Sequence, residues 1–156
     1  MANRVALTAA GGVLALSAAL LAKWEGVRYV PYYDSVGVLT VCYGHTGGID
    51  PRKVYTATEC QALLQQDMAS ANSTVRKCIG TPMLRQVEVA LTSATFNIGP
   101  SVVCGSTLQR MAKANDWPGA CAQLARWNKA GGREMRGLTL RRADEQALCE
   151  GRALWG

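Results

Sequence analysis

The N-terminal part of the chain is dominated by one uncharged, mostly apolar stretch, residues 5–22, which Arg4 precedes. As a helix it would be about 27 Å long, just short of the roughly 30 Å hydrocarbon core of a bilayer. Gly26 suits the end of such a helix. Within the stretch, helical spacing predicts an apolar stripe that could enter a protein core. This stripe comprises Val13, Leu16, Leu20 and Trp24.

A β-hairpin is predicted next. Residues 29–33 and 38–43 read as strands, and residues 34–37 carry turn-forming side chains. In the second strand, period-two alternation predicts two opposite faces. One face would hold Val38, Thr40 and Cys42, and the other Leu39, Val41 and Tyr43. Residues 44–55 are predicted to form a loop.

Beyond this loop the pattern is helical. Thr56 and Glu59 have capping-box spacing and predict a helix that runs to about residue 77. A second helix to about residue 96 should follow Pro82, with Leu84, Val87 and Leu91 on its buried side. Further helices are predicted at 106–114, 117–128 and 139–150, with a break at Gly131-Gly132. The fold class is therefore α+β, a small hairpin inserted near the start of a mostly helical domain.

Composition limits the choice of partner. The 156 residues carry a net charge of +6 and form no single basic run. Such a charge suits an anionic partner, either anionic lipid or an acidic wall polymer. None of the common nucleic-acid motifs is present, so we expect no nucleic-acid partner. Arg141 and Arg142 are predicted to lie on a solvated helix face.

Six cysteines are many for this length, and none forms a CxxC pair. With His45 as the single histidine, the sequence predicts neither a metal site nor a cofactor. The even number favours up to three disulfides in an oxidising compartment. Six cysteines allow about fifteen pairings, and the spacing does not choose among them.

Glu25 and Asp34 form a candidate acid/base pair. Glu25 lies at the predicted C-terminus of a helix, beside Trp24, where the dipole and an apolar surrounding both disfavour a carboxylate. Such a group suits a general acid. Asp34 lies in a polar turn and should remain a carboxylate, and the Thr40 hydroxyl could share a water with it across the hairpin. Two carboxyl groups with opposite roles are typical of glycosidases.

The surrounding residues resemble the phage lysozymes, the endolysin muramidases. Eight residues separate Glu25 from Asp34, and five separate Asp34 from Thr40. Gly44-His45-Thr46 follows shortly after. Four further motifs follow in the family order: FNIGP at 96–100, STL at 106–108, RWNKAGG at 126–132 and GLTLRRADE at 137–145. The likeness covers the chain from residue 24 to about residue 149.

The resemblance implies a two-lobed lysozyme-like fold, with a small sheet lobe, a helical lobe and a cleft between them. It implies hydrolysis of the β-1,4 bond between N-acetylmuramic acid and N-acetylglucosamine in peptidoglycan, with inversion. Glu25 matches the general acid, Asp34 the water-positioning carboxylate and Thr40 the third catalytic residue. His45 is expected to support the site structurally. The candidate substrate-binding residues are Phe96, Thr46, Thr107 and Gln123.

The N-terminal stretch allows three interpretations: a cleaved signal peptide, a permanent anchor, or a retained segment that later packs as a helix. Its leucines and valines would favour insertion into a bilayer by only roughly 2–4 kcal/mol, so insertion would be marginal. Cleavage near Ala22 would leave Glu25 without its helix and beside a new positive terminus, which favours retention. We therefore expect residues 1–22 to be a retained signal-anchor segment and residues 23–156 the catalytic domain.

This combination resembles the signal-anchor-release endolysins. The resemblance implies export to the host inner membrane through residues 5–22, with the catalytic domain in the periplasm. The monomeric enzyme would be inactive until its release, and a separate hole-forming protein could trigger that step. Two alternatives stay open: a lytic transglycosylase, which would not need Asp34 or Thr40, and a non-catalytic wall-binding module tethered to the membrane. A secreted disulfide scaffold is disfavoured, because the helices carry enough core.

Overall fold

A computed structural model describes residues 12–152 of the chain. Its first helix, α1, spans Val13–Trp24 and ends at Glu25, whose N–H donates to the Leu21 carbonyl at 2.7 Å. This end agrees with the prediction, whereas residues 1–11 of the predicted anchor lie outside the described part. Among residues 12–152, no helix combines the length and the apolar content needed to cross a bilayer.

A three-stranded antiparallel sheet follows α1. Strands β1 (Arg28–Tyr33), β2 (Leu39–Cys42) and β3 (His45–Thr46) lie side by side in chain order. The third strand falls where a loop was predicted, and Gly44, with φ +80°, makes the tight turn before it.

The predicted alternation along β2 fails at Cys42. Thr40, Val41 and Cys42 are all buried, whereas Val38 is exposed. Cys42 has a φ of +62°, so it departs from extended geometry and the period of two ends there. Its side chain joins the apolar cluster of Val41 and Cys60.

Two long helices organise the second lobe. Helix α2 (Ala57–Ile79) starts at Thr56, whose hydroxyl accepts the Glu59 N–H, and ends at Gly80 with φ +66°. Helix α3 (Arg85–Ile98) is buried from Val87 to Thr95 and packs against α1, α2 and α6 (Arg136–Cys149). Leu84 was predicted to be buried but is exposed, because it precedes the first turn of α3 as its N-cap.

Shorter elements complete this lobe. Helix α4 is Thr107–Lys113, and α5 is Trp117–Gln123, followed by a 3₁₀ turn at Leu124–Arg126. The predicted helix 117–128 is thus shorter than expected. Strands β4 (Lys129–Ala130) and β5 (Arg133–Glu134) form a small hairpin whose tip is Gly131-Gly132, both with positive φ. The last helix, α6, is Arg136–Cys149 and starts three residues before the predicted 139.

The N-terminal helix is part of the protein core. Ser17, Ala18, Leu20 and Leu21 are its buried residues, and Leu21 packs with Leu64 and Met68 of α2. The buried face is therefore rotated from the predicted stripe. Val13, Leu16 and Trp24 are only partly buried. A larger apolar cluster joins α3 to α4 and α5.

All six cysteines form disulfides: Cys42–Cys60, Cys78–Cys104 and Cys121–Cys149. The sequence prediction of up to three disulfides is confirmed. Each bond joins cysteines that are consecutive in the chain, so each closes one loop without crossing another. The first fastens β2 to α2.

We expect replacement of Cys42 and Cys60 together by alanine to lower the free energy of unfolding by about 2–4 kcal/mol. The bond closes an 18-residue separation, so its loss frees the unfolded chain. Urea unfolding monitored by circular dichroism measures the change. Replacement of the Cys121–Cys149 pair serves as a control with a 28-residue separation. Unchanged stability in both double variants would contradict the pairing.

Candidate active site

A cleft of about 460 Å³ separates the sheet from the helical lobe. Its walls come from the end of α1, the β1–β2 hairpin, the β3 turn, α2 and the end of α3. The lining residues are Glu25, Tyr32, Asp34, Thr40, Gly44, Thr46, Asp67, Ser70, Ala71, Thr74, Thr95, Phe96, Asn97 and Pro100. The structure thus brings Glu25, Asp34 and Thr40, the predicted catalytic residues, into one open cavity.

Glu25 lies at the cleft end of α1, and its carboxyl oxygens have different neighbours. Oε1 accepts a hydrogen bond of 2.6 Å from Nη1 of Arg141, and a Cβ at Gly44 would lie 3.8 Å from Oε2. The side chain of Glu25 keeps 26% of its surface exposed. The purely apolar surrounding expected from the sequence is therefore incomplete, because a cation touches the carboxyl group.

Arg141 and Arg142 correct a second expectation. They are 5% and 0% exposed, so neither lies on a solvated helix face. Both face inward from α6 towards the buried carboxylate of Glu145. Sequence reasoning missed Arg141 as a partner of Glu25, although it belongs to the GLTLRRADE motif.

Asp34 is fixed by the hairpin turn. Its Oδ1 accepts the N–H groups of Val36 and Val38, both at 2.9 Å, and its own N–H donates to the Val38 carbonyl. Gly37 takes the positive φ, +81°, that the turn requires. The backbone therefore orients the Asp34 carboxyl group at the rim of the cleft.

Thr40 lies in the middle of the sheet. It pairs with Tyr32 on one side and Thr46 on the other, and only 4% of its surface is exposed. Its hydroxyl donates to the Val38 carbonyl at 2.9 Å, which leaves the oxygen lone pairs available as acceptors. Because Val38 also binds Asp34, one short turn positions both residues.

His45 ties the sheet to the helical lobe. Its Nδ1 is 2.8 Å from Oδ2 of Asp67 on α2, and its Nε2 is 3.0 Å from the Gly47 carbonyl. Both ring nitrogens have a protein partner, and His45 does not line the cleft. The supporting role of His45 stays a prediction.

The four candidate substrate-binding residues separate into two pairs. Phe96 and Thr46 line the cleft. Thr107 and Gln123 do not; they line another cavity of about 490 Å³ with Arg110, Arg126 and Trp127.

Sequence reasoning also missed Tyr32 and Asp67 as lining residues. Tyr32 gave one available signal, its position between Glu25 and Asp34 in the sequence. In the structure the Arg28 guanidinium lies 3.9 Å from the centre of its ring. Asp67 gave none beyond being an acidic residue on a predicted helix.

The comparisons with known proteins agree with this geometry. The model of the phage lysozyme family matches residues 22–145, most of the chain. The chain belongs to the phage lysozyme family. The matched range includes Glu25, Asp34, Thr40 and Arg141.

The phage lysozyme chain also has named relatives. It is 42% identical to a SAR-endolysin of Bacteriophage PS119 over 161 aligned positions, covering 99% of this chain and 94% of the relative. Its fold matches the active form of the P1 phage endolysin Lyz, with a TM-score of 0.80, 25% identity, and coverage of 90% and 86% of the two chains. The secreted inactive form of the same endolysin matches with a TM-score of 0.55 and 23% identity, over 70% and 79% of the chains.

Proposed function

We propose that this phage lysozyme is a muramidase that hydrolyses the β-1,4 bond between N-acetylmuramic acid and N-acetylglucosamine in peptidoglycan. The observation that carries the proposal is the meeting of Glu25, Asp34 and Thr40 in one open cleft between the lobes. An open groove suits a long glycan strand, and the net positive charge suits an acidic wall. Host cell lysis is the proposed biological outcome.

In the proposed mechanism, Glu25 donates its proton to the oxygen of the scissile glycosidic bond. Asp34 and the Thr40 hydroxyl hold a water molecule on the opposite face of the sugar, and this water attacks the anomeric carbon. The carbon–oxygen bond breaks as the new one forms, so the configuration is inverted. Asp34 takes the proton of the water. The residues of the turn that fix Asp34 and Thr40 also fix the direction of attack.

Phe96 and Thr46 are the proposed sugar contacts within the cleft. Phe96 offers an apolar ring and Thr46 a hydroxyl group, which together match the mixed surface of a pyranose ring. Thr107 and Gln123 belong to a separate cavity, so we assign them to a more distant part of the polymer. A third cavity shares Asn97 with the cleft and shares Arg126 and Trp127 with the cavity of Thr107 and Gln123.

We infer that residues 1–22 are a retained signal-anchor and that the enzyme becomes active on leaving the host inner membrane. The name of the Bacteriophage PS119 relative and the greater likeness to the active form of P1 Lyz support this inference. While residues 5–22 are in lipid, Leu20 and Leu21 cannot fill the core. Release into the periplasm, triggered by a hole-forming partner, would let α1 pack and position Glu25 in a monomeric enzyme.

Product analysis tests the reaction type. We expect digestion of purified peptidoglycan to give muropeptides with reducing ends, because a held water is the nucleophile. Borohydride reduction followed by mass spectrometry identifies those ends. Asp34→Asn should lose most activity, and Glu134→Gln, at an exposed site on β5, is its control. Anhydro sugars, formed at full rate by Asp34→Asn, would support a lytic transglycosylase instead.

A further inference from the structure

A cluster of charged side chains lies behind Glu25, between α3 and α6. Glu145 has no exposed surface, and its carboxylate is 2.7 Å from Nε of Arg142 and 3.6 Å from Nε of Arg141. Arg141 in turn donates to Glu25. Ser93 on α3 donates its hydroxyl to Oε1 of Glu145 at 2.7 Å. Arg141 therefore connects Glu145 to Glu25.

The charge of this cluster depends on the proton of Glu25. When Glu25 is ionised, two arginines face two carboxylates and the charges balance. A proton on Glu25, which catalysis needs, leaves one positive charge in excess. Without the Glu145 carboxylate the excess would be two, and a buried excess of charge is costly in a medium of low dielectric constant. The protonated acid is thus compatible with the cluster only because Glu145 is present.

We propose, on the basis of Glu25 as the proposed general acid, that Glu145 is a positioning residue for the reaction. Its buried carboxylate offsets Arg141 and Arg142, so that Arg141 can orient Glu25 without stripping its proton. Glu145 acts only through Arg141 and touches neither substrate nor reacting atoms.

The pKa values of the cluster agree with tight coupling between its members. Burial raises the pKa of Glu145, while the charge of Arg142 and the Ser93 hydroxyl oppose this rise. Burial lowers the pKa of Arg142, and the charge of Glu145 opposes that change. Each charge of the Arg142–Glu145 pair thus opposes the effect of burial on the other, so removal of one changes the rest of the cluster.

Other charges near Glu25 come from every element around it. Lys23 on α1 forms an ion pair with Asp144 on α6. Asp34 of the hairpin and Asp67 of α2 share the cleft with Glu25. The groups that α3 presents, Ser93 and Asn97, are neutral, and Asn97 accepts a hydrogen bond from Arg142. Apart from Ser93, which one variant replaces, these groups are the same in every variant of the test.

The test is the pH–activity profile of Glu145→Gln on purified peptidoglycan, with kcat and KM measured at each pH. We expect the alkaline limb to move to lower pH by about half a unit to one unit. At neutral pH, kcat should fall several-fold with KM nearly unchanged, and activity should return at lower pH. Glu145→Asp, which keeps the charge, should restore the position of the limb.

The control is Glu150→Gln, which removes the same charge at the end of the same helix, where Glu150 contacts Gln146 and Arg152. Its profile should match that of the unchanged protein. A purely structural role of Glu145 would lower activity equally at all pH values, and an unmoved limb in folded Glu145→Gln would overturn the proposal.

If Glu145→Gln does not fold, the pH–activity profile of Ser93→Ala tests the proposal instead. Loss of the hydroxyl donor makes the Glu145 carboxylate easier to protonate, so the limb should move in the same direction by a smaller amount. An unmoved limb in Ser93→Ala would then overturn the proposal. Failure of the proposed function gives a different result, namely an active Glu25→Gln enzyme.

Discussion

Replacement of Glu25 by glutamine is expected to lower the rate of peptidoglycan hydrolysis by about 10²–10⁴-fold. Glutamine has nearly the same shape, and its amide can still accept a hydrogen bond from Arg141. It cannot donate a proton to the glycosidic oxygen, so the leaving group must depart as an alkoxide. The decrease in turbidity of an outer-membrane-permeabilised cell suspension measures the rate.

The lower rate of Glu25→Gln should come from a slower chemical step, and the variant should fold like the unchanged protein. Thermal unfolding of the variant separates the two, and Glu134→Gln on the exposed β5 hairpin controls for the changed net charge. If the protein were a non-catalytic wall-binding module, its effect on cells would be the same with and without this substitution. Undiminished lysis by folded Glu25→Gln would therefore contradict both the catalytic assignment and the enzyme class.

The parts of the site that sequence could predict depend on local signals. The end of α1 follows from Gly26, which puts Glu25 at a helix C-terminus. The turn at Asp34 follows from a short side chain that binds nearby N–H groups and from Gly37. Both signals act over a few residues, so no knowledge of distant packing was required.

Contacts between distant parts of the chain could not be predicted in the same way. Arg141 is 116 residues from Glu25, and its charge alone indicated a solvated face. It is buried because Glu145, one turn along α6, and Glu25 together compensate it. Only a folded chain reveals such compensation. The disulfide pairing depends on packing for the same reason.

The N-terminal helix shows how one segment satisfies two requirements. Its residues are apolar enough for marginal insertion in lipid. The face that carries Leu20 and Leu21 is also the face that fills the core. The predicted apolar stripe comprised Val13, Leu16, Leu20 and Trp24, and of these Leu20 is buried. A nearly uniform apolar stretch fixes the rotation of a helix poorly. Packing against α2 and α3 selects the rotation.

Truncation of this buried face is the second large effect that we expect. Leu21→Ala should lower the free energy of unfolding of the released enzyme by about 2–5 kcal/mol. Leu21 is completely buried and packs with Leu64 and Met68, so a cavity remains in the substituted protein. Because the same helix carries Glu25, lytic activity should fall with stability as the temperature rises. Urea unfolding and turbidity assays at several temperatures measure both.

Leu16→Ala is the matched control for this substitution. In lipid, both changes lower the hydrophobicity of the anchor by the same amount, since each exchanges one leucine for one alanine. In the folded enzyme Leu16 is only partly buried, so its loss should cost much less than that of Leu21. The difference between the two variants therefore isolates packing from membrane insertion. Equal effects on the stability of the released enzyme would mean that α1 is not part of its core, and Glu25 would then lack the support that its proposed role needs.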